Sequence, residues 1–187
     1  MPYLRAKFGF NKTKKMNTRI TLLMLLVLTL GACKTEPTMN NTEIGSRGEI
    51  LIGHCDRNGF AQAPFSEWFN EQYDNYMPDT VATSRIGELL TDNITVTLVL
   101  GTWCGDSQRQ VPRFYKVIDA VGFDEAKMLV SSVNTSKTNK HIDAEALDIQ
   151  LVPTFIIYKN NKEIGRIIES PIDLLEIDML NIITNAL

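Results

Sequence analysis

The chain of 187 residues is long enough for one ordinary domain, and its 19 basic and 22 acidic residues give a net charge of −3. Six basic residues and no acidic residue precede residue 20, so residues 33–187 hold 13 basic against 22 acidic residues, a net charge of −9. A chain that is this acidic and lacks a basic stripe is not expected to bind nucleic acid.

The first 32 residues predict a lipoprotein signal peptide. A basic segment precedes an apolar run at residues 20–30, which is short for a membrane span, and Gly31 and Ala32 follow before Cys33. Residues 30–33, Leu-Gly-Ala-Cys, resemble the bacterial lipobox, in which the cysteine is lipidated and becomes the first mature residue. This predicts an exported protein of the cell envelope, anchored by lipid at Cys33 and facing the periplasm or the cell surface. An ordinary signal peptide and a buried N-terminal helix are the alternatives.

Residues 33–48 are predicted to form a flexible tether, because they are rich in Thr, Asn, Glu and Gly and show no apolar period. Residues 49–187 are predicted to form one domain, which divides into an N-terminal extension at 49–93 and a core at 94–187.

The extension is predicted to contain a short strand at 49–54 and helices at 64–76 and 79–90. The first helix has an aromatic stripe at three- and four-residue spacing, which indicates core packing rather than a ligand platform. Asp79 or Thr80 is the candidate N-cap of the second helix.

The core alternates strands with helices, which indicates a mixed sheet with helices on both faces. A nearly continuous apolar, β-branched-rich run at 94–100 predicts a central strand, and Pro112 predicts a kink in the helix that follows. The expected elements are a strand at 94–100, a helix at 106–120, a strand at 127–133, a loop at 134–140, helical turns at 141–148, a hairpin of strands 154–158 and 163–168, and a helix at 171–186 capped by Ser170.

The candidate reactive group is Cys104, at the junction between the central strand and its helix. A cysteine at a helix N-terminus faces unpaired backbone N–H groups and the positive end of the helix dipole, which favours the nucleophilic thiolate. The negative charge of Asp106 opposes this effect. Ser107 stands where a dithiol enzyme would carry its second sulfur, and its hydroxyl can donate a hydrogen bond to the thiolate.

Three features together resemble the thioredoxin superfamily: residues 103–107, Trp-Cys-Gly-Asp-Ser, at the start of a helix, Pro112 eight residues after the cysteine, and residues 152–154, Val-Pro-Thr, before a terminal hairpin. More closely, residues 101–107 resemble a segment shared by thioredoxin-like lipoproteins of Bacteroidetes-type bacteria. The resemblance implies an α/β thioredoxin-like fold, with a central mixed sheet flanked by helices and an N-terminal helical extension.

The resemblance also implies roles for five residues. Cys104 would be the attacking thiol and Pro153 the cis-proline beside it, while Trp103 would flank the sulfur as an apolar contact. Val152 and Thr154 would bind substrate, since a cis peptide exposes neighbouring backbone groups to an extended chain. The alternatives are a strand-edge proline at 153 and a core aromatic residue at 103. Leu98 replaces the buried acid of the family, which is consistent with the loss of the second thiol.

Three functions follow as hypotheses. The first is monothiol exchange or isomerisation, in which protein or small-molecule thiols and disulfides are the partners of Cys104. The second recruits Cys55 as a resolving thiol, although an idle, buried Cys55 is favoured. The third is a binding or scaffold lipoprotein that does not turn over. No cofactor is expected, and His54 and His141 offer no metal-ligand spacing in the sequence. The threonine-and-proline pocket of peroxiredoxins is absent.

Overall fold

One six-stranded sheet organises the computed structural model, which describes residues 38–186. Its strand order is β1-β2-β4-β3-β5-β6; β3 and β4 run parallel, and every other neighbouring pair runs antiparallel. The strands are β1 Asn41–Gly45, β2 Gly48–His54, β3 Ile94–Leu100, β4 Met128–Ser132, β5 Thr154–Lys159 and β6 Lys162–Ile168. The predicted mixed sheet with flanking helices is confirmed. The predicted signal peptide and Cys33 lie outside the described residues.

The helices are α1 Arg57–Phe60, α2 Phe65–Asn75, α3 Thr80–Leu89, α4 Gly105–Val121 and α5 Leu175–Thr184, and a short 3₁₀ turn spans Glu125–Lys127. The Asp79 carboxylate accepts a hydrogen bond from the Ala82 N–H at 2.8 Å, so Asp79 is the N-cap of α3 as predicted. Helix α4 continues through Pro112 and ends where Gly122 adopts a left-handed conformation.

The predicted tether ends earlier than Gly48, because β1 occupies part of it. All five residues of β1 pair with β2 across a tight turn. Most of them are exposed, which is why no apolar period marks the strand. Backbone hydrogen bonding to β2, rather than burial of side chains, holds this edge strand in place.

Residues 144–148 form turns, in which the Leu147 N–H donates to the Asp143 carbonyl at 3.1 Å as in one turn of an α-helix, so the predicted helical turns are shorter than expected. The prediction for the last helix is wrong in detail. The last helix begins at Leu175 and not at Pro171, and Leu174 rather than Ser170 is its N-terminal flanking residue. The Ser170 hydroxyl instead lies within hydrogen-bonding distance of the Arg109 and Gln110 side chains of α4, at 3.1 and 3.4 Å.

The two faces of the sheet bury separate apolar clusters. Successive side chains of β3 alternate between them, since Leu98 and Leu100 join the larger cluster and Val99 the smaller one. We call these the large-face cluster, to which α2–α5 contribute, and the small-face cluster, which consists of Val99, Val133, Ile149, Val152 and Ile156. Within residues 38–186, no helix is long and apolar enough to cross a membrane.

Candidate active site around Cys104

Cys104 lies at the carboxyl end of β3, between the sheet and α4. Its backbone is extended, its N–H donates to the Gly101 carbonyl at 2.8 Å, and its carbonyl accepts from the Gln108 N–H at 3.0 Å. The residue is therefore the N-cap of a 17-residue helix, with the first N–H groups of that helix beside it. The side chain is part-exposed, so a reactant in solvent can reach the sulfur.

The thiol of Cys104 contacts the segment around Pro153, which is distant in sequence. Its Sγ donates to the Val152 carbonyl oxygen at 3.2 Å, and the Val152–Pro153 peptide is cis as predicted. The Pro153 carbonyl is occupied, because it accepts from the Glu169 N–H at 2.7 Å. Val152 itself is 3% exposed, and its N–H donates to no group within residues 38–186.

Trp103 supports the cysteine from the small-face side. Its indole Nε1 donates to the Val133 carbonyl at 2.9 Å, and both Trp103 and Cys104 pack against the small-face cluster. A Cβ at Gly101 would lie 2.6 Å from the indole, so a glycine is needed where the ring crosses the backbone. Trp103 and Cys104 therefore lie against the same apolar cluster.

Ser107 does not make the predicted hydrogen bond to Cys104. Its side chain is fully buried, with 0% exposure, and its Oγ accepts from the Gly101 N–H at 3.2 Å. This bond ties the first turn of α4 to the loop after β3. Ser107 is therefore a supporting residue of the cysteine loop in this structure.

Thr154 also faces inward. It is buried, and its Oγ1 donates to the Leu151 carbonyl at 2.7 Å, which closes the turn that contains Pro153. Its side chain shapes the turn from within and does not face solvent beside Cys104.

Asp106 does not present a free negative charge to Cys104. Its carboxylate forms an ion pair with Arg109 one turn along α4. Both side chains are substantially exposed, so solvent screens the pair further. The ion pair with Arg109 therefore largely offsets the negative charge of Asp106 near the Cys104 thiolate.

Exposed apolar side chains occur in the Pro153 turn and at and after the end of β6, where the Glu169 N–H bonds to the Pro153 carbonyl. Leu151 precedes Val152, and Ile168 pairs with Thr154 across the β5–β6 hairpin. Ile172 and Leu174 follow β6, and Ile172 is 100% exposed. We call these four side chains the apolar rim.

Cys55 lies apart from this site. It is 3% exposed within the large-face cluster, whereas Cys104 packs on the small-face side of the same sheet, and both thiols are free. Burial raises the pKa of the Cys55 thiol to about 12, which suppresses its thiolate. The structure thus agrees with an idle, buried Cys55.

The fold also brings together His54 and His141, whose spacing in the sequence indicates no metal site. The rings of His54 and His141 lie 4.9 Å apart between centroids, at the end of β2 and in the long connection between β4 and β5. The two histidines are far apart in the sequence, so no local pattern predicts this contact.

The thioredoxin family model matches residues 83–177, which is just over half of the chain. No curated protein matches the chain. Among solved structures, a protein of unknown function from Pseudomonas aeruginosa is 14% identical with a TM-score of 0.47, covering 65% of this chain and 82% of the other. Mitochondrial thioredoxin 3 from Saccharomyces cerevisiae is 21% identical with a TM-score of 0.31, covering 52% of this chain and 86% of the other.

Proposed function

The chain belongs to the thioredoxin family, and on this premise we propose that it exchanges thiols and disulfides through Cys104, as a monothiol protein of the bacterial cell envelope. The observation that carries the proposal is the position of the Cys104 sulfur. It is part-exposed at the start of α4 and lies 3.2 Å from the carbonyl oxygen next to Pro153.

The exchange proceeds in two displacements. The Cys104 thiolate attacks one sulfur of a substrate disulfide, so the Cys104–substrate bond forms as the substrate disulfide breaks, and the leaving sulfur departs as a thiolate that takes a proton from solvent. A second thiolate then attacks the mixed disulfide and releases Cys104. Electrons balance because one disulfide is consumed and one is formed.

The second thiol comes from outside the chain. The buried Ser107 hydroxyl cannot form a disulfide, and Cys55 lies in the cluster on the opposite face of the sheet. The partners are therefore protein or small-molecule thiols and disulfides, and the same chemistry serves reduction, oxidation or isomerisation.

The surroundings of Cys104 suit an extended polypeptide. The apolar rim offers exposed surface for the apolar side chains of a bound segment. Leu151 of the rim precedes Val152, whose carbonyl oxygen accepts from the Cys104 thiol, so a cysteine carried by a segment bound there would meet the sulfur.

The test compares two single substitutions in full-length protein. Cys104→Ser is expected to abolish exchange with a mixed disulfide of a peptide and a small thiol, whereas Cys55→Ser is expected to retain it. Normal exchange by Cys104→Ser contradicts the proposal. If Cys104→Ser and the native protein retain the same bound polypeptides and neither catalyses exchange, the scaffold function replaces it.

The envelope location rests on the lipobox-like residues 30–33, and the proposed type is a thioredoxin-like lipoprotein such as Bacteroidetes-type bacteria carry. Labelled palmitate is expected to enter the native protein and not the Cys33→Ser variant when both are expressed in a bacterial host. Equal labelling of the two proteins contradicts the proposed anchor.

A further inference from the structure

His54 and His141 form a close pair on the face of β2. The two rings are tilted by 48° with centroids 4.9 Å apart. Gly53 makes the contact possible, because a Cβ at this residue would lie 2.5 Å from His141 Cδ2 and 2.9 Å from its Nε2. The Nε2 edge of His141 therefore lies directly against the strand, one residue from His54.

One nitrogen of the His54 ring has no hydrogen-bond partner within residues 38–186. Its Nδ1 atom is shielded from solvent and has no hydrogen-bond partner in the described part of the chain. This ring nitrogen is therefore free to bind a metal ion.

We propose that His54 and His141 bind one divalent transition-metal ion of the zinc, nickel and copper class, with solvent completing the coordination. An ion bound in the plane of both rings at about 2.0–2.1 Å from one nitrogen of each would lie about 3.2 Å from each ring centroid. Centroids 4.9 Å apart would then give an angle of about 100° at the ion, which suits tetrahedral and octahedral geometry alike. Imidazole nitrogen is a preferred ligand of these ions.

The surroundings limit the strength of the site. Within residues 38–186, no group of three or more histidine, cysteine or acidic side chains is arranged to hold a metal. Glu43 and Lys140 line a cavity of about 510 Å³ with His141, and their charges offset each other there. Two protein ligands imply an exchangeable ion rather than a closed structural centre.

Metal binding at this pair would join the β4–β5 connection to β2. The connection carries Ile142, Leu147 and Ile149, which pack with Trp103 and Cys104 in and around the small-face cluster. A bridge from His54 to His141 therefore stabilises the segment that covers this side of the cysteine loop.

The test is a Ni²⁺ titration of the full-length Cys104→Ser protein, followed by calorimetry and by thermal unfolding. The Cys104→Ser background removes the part-exposed thiol of residues 38–186 as a competing ligand. We expect one equivalent of bound Ni²⁺ and a higher Tm, and we expect His141→Asn and His54→Asn to weaken binding by about tenfold or more. Cu²⁺ is expected to show nitrogen coordination by electron paramagnetic resonance.

Lys140→Gln is the matched control, because Lys140 adjoins His141 and lines the same cavity. Its Ni²⁺ affinity is expected to match that of the parent protein. Because His141 is exposed, its replacement leaves the core intact and keeps the test decisive if His54→Asn fails to fold. Unchanged affinity in His141→Asn, or no saturable Ni²⁺ binding by the parent protein, overturns the proposal.

Discussion

Ser107 carries a hydroxyl oxygen at the position where a dithiol protein carries its second cysteine sulfur. A hydroxyl occupies the place of the second sulfur, and the structure uses it as a hydrogen-bond acceptor for Gly101. The residue is buried, so the hydroxyl satisfies a backbone donor that would otherwise lie near the protein interior without a partner. Ser107 thus contributes to the stability of the cysteine loop rather than to the displacement steps.

Ser107→Ala is expected to lower the free energy of unfolding by about 1–2 kcal/mol, because the Gly101 N–H loses its acceptor. Urea denaturation monitored by circular dichroism measures the change. Ser136→Ala, on the exposed loop after β4, is the control and is expected to shift the stability by less than about 0.5 kcal/mol. Equal stability of Ser107→Ala and the native protein would contradict this role.

The lowered pKa of His54 predicts a loss of stability in mild acid. In the unfolded chain His54 takes up a proton near pH 6.5. In the folded protein it takes up the proton only at lower pH, because the ring is partly buried beside His141. The contribution of neutral His54 to the free energy of unfolding is fully present above about pH 6.5. It is lost as the pH falls through the lower pKa that His54 has in the folded protein. Carboxylates titrate mainly below this window.

Thermal unfolding between pH 7.5 and pH 5 in metal-free buffer provides the measurement. The native protein is expected to lose more Tm over this range than His54→Asn, which has no titrating ring at this position. Parallel pH profiles of the two proteins would refute the expectation.

At the scale of elements, a buried carboxylate attaches the N-terminal extension to the last helix. Glu176, in the first turn of α5, is 0% exposed and accepts hydrogen bonds from the Tyr76 hydroxyl and the Asp79 N–H, each at 2.7 Å. Tyr76 ends α2 and Asp79 begins α3. One side chain of the core therefore sets the turn between the two helices of the extension.

Tyr76→Phe is expected to lower the free energy of unfolding by about 1.5–3 kcal/mol, because the Glu176 carboxylate loses one of its two donors while it stays buried. Chemical denaturation measures the difference. Tyr158→Phe is the matched control, since the Tyr158 hydroxyl donates no hydrogen bond within residues 38–186. The role assigned to Glu176 fails if both variants lose the same stability.

At the scale of the whole molecule, the sheet separates the two thiols of the domain. Cys104 is part-exposed above the small-face cluster, and Cys55 is enclosed in the large-face cluster. The strands between them prevent the sulfurs from meeting in the folded state. Thiol exchange at Cys104 and the packing of Cys55 are therefore independent properties of the fold.

Alkylation of the native protein is expected to modify Cys104 more than about a hundredfold faster than Cys55, because Cys55 reacts only when the domain opens. Mass spectrometry after timed iodoacetamide treatment measures both rates. In denaturant, Cys55 is expected to be alkylated about as fast as Cys104. A Cys55–Cys104 disulfide after mild oxidation of folded protein would contradict the separation of the thiols.

Local chemistry made several features predictable from the sequence. The apolar run of β3, the carboxylate cap at Asp79 and the cysteine between strand and helix each depend on residues within a few positions. The cis-proline at residue 153 was predictable from the family resemblance of the Val-Pro-Thr segment. These features supply the fold class and the attacking sulfur of the proposed site.

The remaining features depend on contacts between distant segments. β1 is a strand because β2 supplies its hydrogen-bond partners. The inward turn of Ser107 and the pairing of the two histidines leave no periodic pattern in the sequence. The sequence by itself thus determined which sulfur stands at the helix start, since that depends on neighbouring residues. Only the tertiary structure determined which groups surround the Cys104 sulfur, because the order of the strands sets which distant segments come into contact.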